Sequence, residues 1–196
     1  EYNRKGVLPT VAIVDWEGAS TIREFEAFQK AFGARGCKAI ITDPRNLKYK
    51  NGKLYFNNLP IDLIYRRLVT HEIIQRQEEI SDFITAYRQN AVCMVGPLRS
   101  QIIHDKIIFK VLQDREAHLL FTPLEVDFIK KHLPFTALFK KDAKVLELAR
   151  LNKDAYVLKP QDLYGSRGVF VGREWSNKKW AEIIKVCWDK DYLLQE

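Results

Sequence analysis

The sequence predicts an α/β fold whose second part is of the α+β type, and three observations support this prediction. A β-α-β pattern occupies residues 11–42, and the order of elements changes after Pro97, where helices begin to predominate. A strand, a glycine-containing loop and a second strand then follow one another within residues 156–172. With 196 residues, 46% of them hydrophobic, the chain is long enough to bury a core in one large or two small domains.

The first part of the chain predicts an open sheet with helices. Residues 11–15 form an apolar run that ends in a polar residue, and residues 38–42 form a second strand. Between them, Thr21 followed by Glu24 predicts a capping box at the start of a helix. The apolar stripe of that helix consists of Ile22, Phe25, Phe28 and Phe32. Such β-α-β units favour a parallel sheet with a right-handed crossover.

Further elements complete this first part. Strands are predicted at 53–57 and 61–65, around an Asn-Asn-Leu-Pro turn, a polar helix at 72–88, and a strand at 91–95. Gly96 and Pro97 close that last strand. Residues 1–97 therefore read as a small open α/β domain, and ligands of such sheets bind beyond the carboxyl ends of the strands.

The second part, residues 98–196, begins with helices at 100–113, 124–132 and 142–151. Ser176 is predicted to cap a later helix. The apolar side of that helix consists of Trp180, Ile183, Ile184 and Cys187. Residues 192–196 begin a strand for which no partner is evident. Because an unpaired apolar strand is a poor end for a domain, we expect the chain to be part of a larger protein.

The glycine loop indicates a phosphate site. An apolar run ends in Lys159, a loop containing Gly165 and Gly168 follows, and a β-branched run returns. Backbone N–H groups of such a loop can point at phosphate oxygens while the nearby ammonium neutralises charge. The pattern differs from the P-loop, whose lysine follows the glycines and opens a helix, and from the G-x-G-x-x-G of dinucleotide folds.

The formal net charge of +7 also allows a basic nucleic-acid-binding protein, which would bind DNA or RNA with steep salt dependence. The basic residues are scattered, however, and a surface that attracts ATP and anionic substrates explains the surplus equally well. We therefore predict no nucleic-acid partner, and no membrane partner either, because no apolar stretch approaches the roughly 18 residues of a span.

Cysteine and histidine usage bears on the compartment and on zinc. The three cysteines, Cys37, Cys93 and Cys187, lie far apart, and an odd count fits free thiols in a reducing compartment, so a cytoplasmic location is expected. The four histidines match no metal-ligand spacing.

The residues of the glycine loop, together with Gly172, Trp180, Gln195 and Glu196, resemble the lysine-bearing half of ATP-grasp enzymes. More narrowly, they are similar to circularly permuted ATP-grasp proteins related to glutathionylspermidine synthase. Residues 61–68 resemble the end of the pre-ATP-grasp domain of that group. Lys106, which opens a helix after a Pro-Leu-Arg-Ser loop, resembles the first nucleotide-binding lysine. The resemblance implies a pre-ATP-grasp domain at 1–97 and an incomplete ATP-grasp subdomain at 98–196.

The resemblance also implies roles for individual residues. Lys159 would contact the α- and β-phosphates and the adenine side of ATP, and Lys106 would approach the same nucleotide. The lid over the phosphates would be formed by Tyr164, Gly165, Ser166 and Gly168. Gln195 and Glu196 would mark the hinge that reads adenine. The alternatives are a solvated lysine at a strand end for Lys159 and an ordinary helix-opening lysine for Lys106.

Two arginines are candidate catalytic residues. Arg66 and Arg67 follow a buried strand, and a guanidinium there could hold a substrate carboxylate or the γ-phosphate by bidentate contacts. Neighbouring strand residues face opposite ways, so at most one is expected to point into the site. The alternative is a surface ion pair with Glu72 or Asp62.

The predicted function is that of an ATP- and Mg²⁺-dependent ligase that joins a small carboxylate to an amine or thiol through an acyl phosphate. A catalytically inactive binding module with the same fold is the alternative. The opening Glu1-Tyr2-Asn3 resembles the Glu-x-Asn metal motif of the family, but it lies close to the first strand, and no metal ligand is assigned. The acid, the amine and the oligomeric state are not readable from the sequence.

Overall fold

The computed structural model describes residues 6–140, 142–163 and 165–196, and these residues divide into two compact units with a boundary between Ser100 and Gln101. The sequence placed a domain boundary at residue 97, three residues earlier. The identity of the two units as pre-ATP-grasp and ATP-grasp domains stays a prediction. The Glu1-Tyr2-Asn3 motif and Tyr164 lie outside the described residues.

The first unit contains seven strands and three helices among its described residues. The strands are β1 (Val11–Val14), β2 (Ala39–Thr42), β3 (Leu47–Lys50), β4 (Lys53–Phe56), β5 (Leu59–Ile61), β6 (Leu63–Arg66) and β7 (Cys93–Val95). The helices are α1 (Ile22–Gly33), α2 (Thr70–Gln75) and α3 (Ser81–Arg88). Short 3-10 helices lie at Pro44–Asn46, Gln77–Ile80 and Leu98–Ser100.

Four strands of this unit form a parallel sheet with the order β2-β1-β6-β7. The β-α-β unit predicted for residues 11–42 is present as β1, α1 and β2. All four residues of β1 are buried, as their continuous apolar pattern predicts for an inner parallel strand. The connection from β1 leads to β2 on one side of the sheet, whereas the connection from β6 leads to β7 on the other side, so the strand order reverses between β1 and β6. Ligands commonly bind at such a switch point.

The start of α1 differs from the prediction. Thr21 is the N-cap residue, but its side chain makes no capping hydrogen bond, so the predicted capping box is wrong. The Glu24 carboxylate instead forms an ion pair with Arg67 at 2.9 Å. The Glu24 side chain therefore binds Arg67, the residue after β6, and does not cap its own helix.

The strand predicted at 61–65 is two strands in two sheets. β5 pairs antiparallel with β4, while β6 joins the parallel sheet. The change occurs at Asp62, whose backbone N–H donates to the Thr10 carbonyl at 3.0 Å and whose carboxylate accepts from the Thr10 N–H at 3.0 Å. The sequence analysis also missed β3, which forms the edge of the antiparallel β3-β4-β5 sheet.

The helix predicted at 72–88 is interrupted. Helix α2 ends before Arg76, a 3-10 segment follows, and α3 begins at Ser81. Ile80 lies at the interruption and is only 1% exposed, since the break turns this side chain into the core of the unit. Burial of an aliphatic side chain contributes about 2 kcal/mol, which offsets the helical hydrogen bonds lost at the break.

The second unit contains six helices and four strands among its described residues. The helices are α4 (Gln101–His104), α5 (Ile107–Gln113), α6 (Arg115–His118), α7 (Pro123–His132), α8 (Ala143–Leu151) and α9 (Asn177–Cys187). The strands are β8 (Thr136–Leu138), β9 (Val157–Pro160), β10 (Phe170–Val171) and β11 (Tyr192–Gln195). Short 3-10 helices lie at Lys153–Ala155 and Gly172–Glu174.

The strands of this unit form an antiparallel sheet with the order β10-β9-β11-β8. The sequence suggested that the last strand is unpaired, and this prediction is wrong. β11 lies between β9 and β8 and pairs with both. The sequence analysis had missed β8, its second partner. Leu193 and Leu194 are 1% and 0% exposed, which the inner position of β11 explains.

Helix α9 packs its apolar side against residues of this sheet, including Leu158 and Leu194. The Ser176 hydroxyl accepts from the Lys179 N–H, and Trp180, Ile183, Ile184 and Cys187 are the buried residues of the helix. The predicted capping residue and apolar face are both confirmed. Within the described ranges, no helix combines the length and the apolar character that crossing a bilayer requires.

Candidate functional site

A cavity of about 410 Å³ lies beside the glycine loop of the second unit. It is lined by Lys106, Lys159, Pro160, Leu163, Gly165, Ser166, Arg167 and Val169. Four predicted site residues, Lys106, Lys159, Gly165 and Ser166, thus meet around one space, although they come from two segments about 50 residues apart. The lining is strongly cationic.

Lys159 is held in this cavity by a residue of the neighbouring strand. Its ammonium donates to the Gln195 side-chain oxygen at 2.6 Å. Gln195 is only 7% exposed, and its amide nitrogen donates to the Thr136 hydroxyl at 2.9 Å. The predicted phosphate lysine and the predicted hinge residue are therefore in direct contact, and Thr136 on β8 fixes the amide orientation.

Lys106 is held by the loop itself. It is the N-cap residue of α5, and its ammonium donates to the Leu163 carbonyl at 2.6 Å and to the Gln161 carbonyl at 3.4 Å. Its backbone N–H also donates to the Gln161 carbonyl, at 3.0 Å. Lys106 thus fastens the start of the glycine loop to α5, a role that the sequence did not predict.

The loop backbone turns through left-handed conformations. The φ angles of Gly165, Ser166 and Gly168 are 62°, 57° and 71°. A Cβ atom at Gly168 would lie 2.9 Å from the Tyr192 hydroxyl and 3.0 Å from the Pro160 Cγ, so only glycine fits there without displacement. Successive residues in turns of this kind present their N–H groups as anion-binding concavities.

Three further predicted nucleotide residues that the structure describes, Gly168, Gln195 and Glu196, are not among the residues that line the cavity. Gly168 packs against Pro160, one of the lining residues, and Gln195 contacts the cavity through Lys159. Glu196 is exposed, and its N–H donates to the Phe135 carbonyl at 3.1 Å. The adenine role predicted for Glu196 stays a prediction.

Arg66 and Arg67 turn to different elements of the first unit. The Arg66 guanidinium donates to the carbonyls of Gly96 and Leu68, to the Thr70 hydroxyl at 3.2 Å and to the Ser100 hydroxyl at 3.1 Å. Burial lowers the pKa of this guanidinium below its usual value. Four of its five N–H groups are therefore engaged in joining the end of β6 to the segments after β6 and β7.

Arg67 lies against α1. Besides its ion pair with Glu24, its guanidinium lies 5.7 Å from the ring centre of Phe25 and 5.8 Å from that of Tyr65. The acidic partner is therefore Glu24, which the sequence analysis had not considered. The substrate-binding roles predicted for Arg66 and Arg67 stay predictions.

The first unit has its own cavity, of about 430 Å³, where β1 and β2 end. Its polar lining includes Asp15, Trp16, Glu17, Thr42 and Asp43. The sequence analysis named none of these as site residues. Asp15 and Asp43 directly follow two parallel strands, which is the pattern that could have identified them.

The two aspartates of this cavity differ in ionisation. Burial raises the pKa of Asp15, and the nearby carboxylates of Glu72 and Asp43 add to this effect. Burial would also raise the pKa of Asp43, but hydrogen bonds from Arg45 and from the Glu17 N–H hold it below its usual value. Asp15 is thus the carboxylate that is poorly stabilised when ionised.

We expect Asp15→Asn to stabilise the protein at pH 7, by no more than about 1 kcal/mol. The pKa of Asp15 is higher in the folded than in the unfolded chain, so the folded state binds the extra proton and loses stability as pH rises above about 4. Asn retains an oxygen for the Trp16 N–H. Urea unfolding at pH 7 and pH 4 measures the gain, which should shrink at pH 4.

The matched control for this variant is Glu78→Gln, which removes an exposed carboxylate from the same unit. It should change stability by less than about 0.5 kcal/mol at either pH. A loss of stability in Asp15→Asn at pH 7 would contradict the interpretation.

No group of three or more His, Cys, Asp or Glu side chains in the described part of the chain is arranged to hold a metal ion. The described residues that line the glycine-loop cavity include no carboxylate. Because Mg²⁺ binds carboxylate and phosphate oxygens, the described residues do not fit a magnesium site of their own.

Solved structures resemble the chain, although no protein-family model matches its sequence and no curated protein is found as a relative. A D-alanyl-alanine synthetase A from Vibrio cholerae matches with a TM-score of 0.57 and 13% identity, over 96% of this chain and 60% of the synthetase. This chain therefore spans about three fifths of that enzyme.

The chain has an α/β fold of the ATP-grasp type. Two further structures match over 95% of the chain: a D-cycloserine synthetase, with a TM-score of 0.48 and 15% identity, and a RimK-domain ATP-grasp protein from Sphaerobacter thermophilus, with a TM-score of 0.49 and 14% identity. The matched regions cover 58% of the D-cycloserine synthetase and 63% of the RimK-domain protein. At such identities the likeness concerns the fold alone.

Proposed function

We propose that this chain supplies the phosphate-binding part of an ATP-dependent ligase that joins a carboxylate to an amine or thiol through an acyl phosphate. The observation that carries the proposal is the cationic cavity in which Lys106 and Lys159 meet the glycine loop. The ATP-grasp-type fold supports it, because the likeness to the synthetase extends over both units of the chain.

In this proposal, the chain binds and shields the nucleotide. Lys159 neutralises phosphate charge while Gln195 keeps its ammonium in place, and Lys106 holds the start of the loop beside the same phosphates. The N–H groups of Gly165, Ser166 and Gly168 donate to phosphate oxygens. Fixed donors of this kind stabilise charge that develops during transfer without costly reorganisation.

The magnesium ligands lie outside this arrangement. Magnesium neutralises charge on ATP phosphates in ligases of this class, but the described residues do not fit it. The proposed role of the described chain is therefore confined to the nucleotide.

The finer assignments rest on the sequence resemblance. One is a circularly permuted chain related to glutathionylspermidine synthase. The proposed cytoplasmic location rests instead on the three free cysteines. The solved neighbour is a synthetase of D-alanyl-alanine, which is compatible with a carboxylate and an amine as substrates here. The particular acid and amine are left open.

We expect Lys159→Ala to weaken ATP binding by about tenfold or more. The change removes an ammonium from the cavity, and a hydrogen bond from a charged group contributes about 1.5–3 kcal/mol. Titration calorimetry of the full-length protein with ATP measures the loss. Circular dichroism of the same samples establishes that the variant is folded.

The control for Lys159→Ala is Lys185→Ala, which removes an exposed lysine from the last turn of α9 and so changes the net charge equally. It should bind ATP as the unchanged protein does. Unchanged ATP affinity in a folded Lys159→Ala variant would refute the assignment of the cavity.

The alternative is a non-catalytic module that retains the fold. Such a module binds a partner and does not turn over ATP, although it can still retain a nucleotide site, so ATP binding alone does not separate the two proposals. Release of ADP or phosphate from ATP by the full-length protein, in the presence of carboxylates and amines, would favour the ligase. ATP binding without turnover would favour the module.

A further inference from the structure

The start of the glycine loop is attached to the preceding helices by more than Lys106. Asp162 lies between the two residues whose carbonyls Lys106 binds, and its Oδ1 accepts a hydrogen bond from the Gln101 side-chain amide at 2.6 Å. The same oxygen lies 2.9 Å from Nδ1 of His104. Gln101 and His104 are the first and last residues of α4. Two side chains of this helix therefore meet one carboxylate of the loop.

Asp162 brings a negative charge to the edge of a cationic cavity. Its neighbour Leu163 lines that cavity, and so does Lys106, whose ammonium binds the Leu163 carbonyl. No other residue from 159 to 168 is acidic. A carboxylate without a cation beside it would repel phosphate oxygens here, whereas a carboxylate paired with a protonated imidazole carries no net charge. The charge of His104 therefore determines how strongly Asp162 opposes a bound phosphate.

His104 is the titratable partner of this carboxylate. Its side chain is 40% exposed and the carboxylate side chain 38%, so both exchange protons freely with solvent. The Gln101 amide, 3.3 Å from the ring, is uncharged, and the Lys106 ammonium is engaged with the loop carbonyls. The Asp105 carboxylate accepts from the Ile107 N–H at 2.9 Å. Among side chains of these kinds, only an imidazole ordinarily changes its charge between pH 5 and 8.

We infer that the His104–Asp162 pair couples a proton to phosphate binding at the glycine loop. The coupling rests on the proposed function, because it takes the cavity to be the nucleotide site. With His104 protonated, a charge-assisted hydrogen bond holds the start of the loop and the pair presents no net charge to the phosphates. With His104 neutral, the bond is weaker and the charge of Asp162 is uncompensated. ATP affinity therefore falls as pH rises through neutrality, and by reciprocity ATP binding takes up a proton. Both are positioning residues, since they act through the loop and Lys106.

The test is a pH profile of ATP binding, measured by titration calorimetry of the full-length protein and of His104→Gln. Glutamine keeps a donor for the Asp162 carboxylate but carries no charge at any pH. Phosphate groups also titrate near pH 6, and comparing the two proteins at each pH cancels that contribution. Between pH 6 and pH 8, we expect the unchanged protein to lose about threefold more ATP affinity than His104→Gln, the size typical of a partly exposed ion pair.

Two further variants separate the charge of His104 from an effect on the fold. His104→Lys keeps a positive charge over the whole range, so its profile should be as shallow as that of His104→Gln, with higher ATP affinity at pH 8. His132→Gln removes an exposed histidine of α7 that does not line the cavity, and it should keep the profile of the unchanged protein. Proton uptake on ATP binding, measured in buffers of different ionisation enthalpy, should be smaller for His104→Gln than for His132→Gln.

The outcomes distinguish the proton coupling from the proposed function. A His104→Gln profile equal to that of the unchanged protein would overturn the coupling and leave the nucleotide site in place. A His104→Lys profile as steep as that of the unchanged protein would also overturn it, because a permanent charge should remove the dependence on pH. Failure of the unchanged protein to bind ATP at any pH would overturn the proposed function, and the coupling with it.

Discussion

Gly172→Ala is expected to destabilise the second unit by about 3 kcal/mol. A Cβ atom at this position would lie 1.9 Å from the Lys153 carbonyl oxygen and 2.9 Å from the Tyr156 carbonyl oxygen. Both contacts are with backbone, which cannot rotate away as a side chain can. The Gly172 N–H also donates to the Tyr156 carbonyl at 2.9 Å, so relief of the clash would strain or break this bond.

The position of Gly172 explains why the expected effect is large. Its backbone holds the 3-10 helix that follows β10 against the one that precedes β9. In the sequence, Lys159 and the glycine loop come between these two 3-10 helices. Displacement at Gly172 should therefore weaken ATP binding as well as stability, although Gly172 itself does not line the cavity.

The second unit can be observed by itself. Three of the four tryptophans lie in it, and replacing the fourth, Trp16, by Phe leaves their fluorescence as a reporter of that unit. Guanidinium unfolding of Gly172→Ala in this background measures the loss.

Gly165→Ala is the matched control for Gly172→Ala. Gly165 has a φ of 62°, but no atom lies within 4 Å of the position of its Cβ. Its cost should be that of a left-handed backbone alone, about 1 kcal/mol. If the two alanine variants lose equal stability, then the close approach of the Lys153 and Tyr156 carbonyls to Gly172 costs far less than expected.

The sequence predicted those parts of the fold that local patterns determine. The continuous apolar run of β1 and the apolar stripe of α1 were sufficient to predict the β-α-β unit. The apolar face of α9 and its Ser176 cap were predicted for the same reason. In each case a pattern of apolar or capping residues within one short segment identifies the element without reference to the rest of the chain.

The two missed strands, β3 and β8, differ in the signal that the sequence offers. β3 has a local signal, because Asn51 and Gly52, with φ angles of 49° and 74°, form the tight turn that joins it to β4. This Asn-Gly pair could have identified the hairpin. β8 has no such signal: three residues pair with β11 about 55 residues later.

The candidate nucleotide site could also be predicted only in part, because the sequence shows local patterns but not contacts between distant residues. Lys159 and the glycine loop are contiguous, so their sequence carries the pattern. The contact of Lys106 with the Leu163 carbonyl spans 57 residues and depends on the tertiary fold. The cavity at Asp15 and Asp43 depends on β1 and β2 being neighbours in a parallel sheet, which a β-α-β pattern predicts but which the sequence analysis did not use.

Arg66→Ala is expected to destabilise the first unit by about 3 kcal/mol. Removing the guanidinium would leave the carbonyls of Gly96 and Leu68 without this donor in a partly buried region, and each unsatisfied buried group costs about 1–3 kcal/mol. The hydroxyls of Thr70 and Ser100 would lose the same partner. Hydrogen exchange of peptides from residues 60–100 measures the loss directly in this unit.

Arg88→Ala is the control for this change, because Arg88 is an exposed arginine at the end of α3 in the same unit. It should alter protection by less than about 0.5 kcal/mol. Unchanged protection in Arg66→Ala would show that the four hydrogen bonds contribute little. The guanidinium would then be free at small cost to hold a substrate carboxylate, as the sequence predicted. A large loss would instead mean that binding substrate through Arg66 requires breaking the contacts that join β6 to the segment after β7, so the guanidinium serves the fold first.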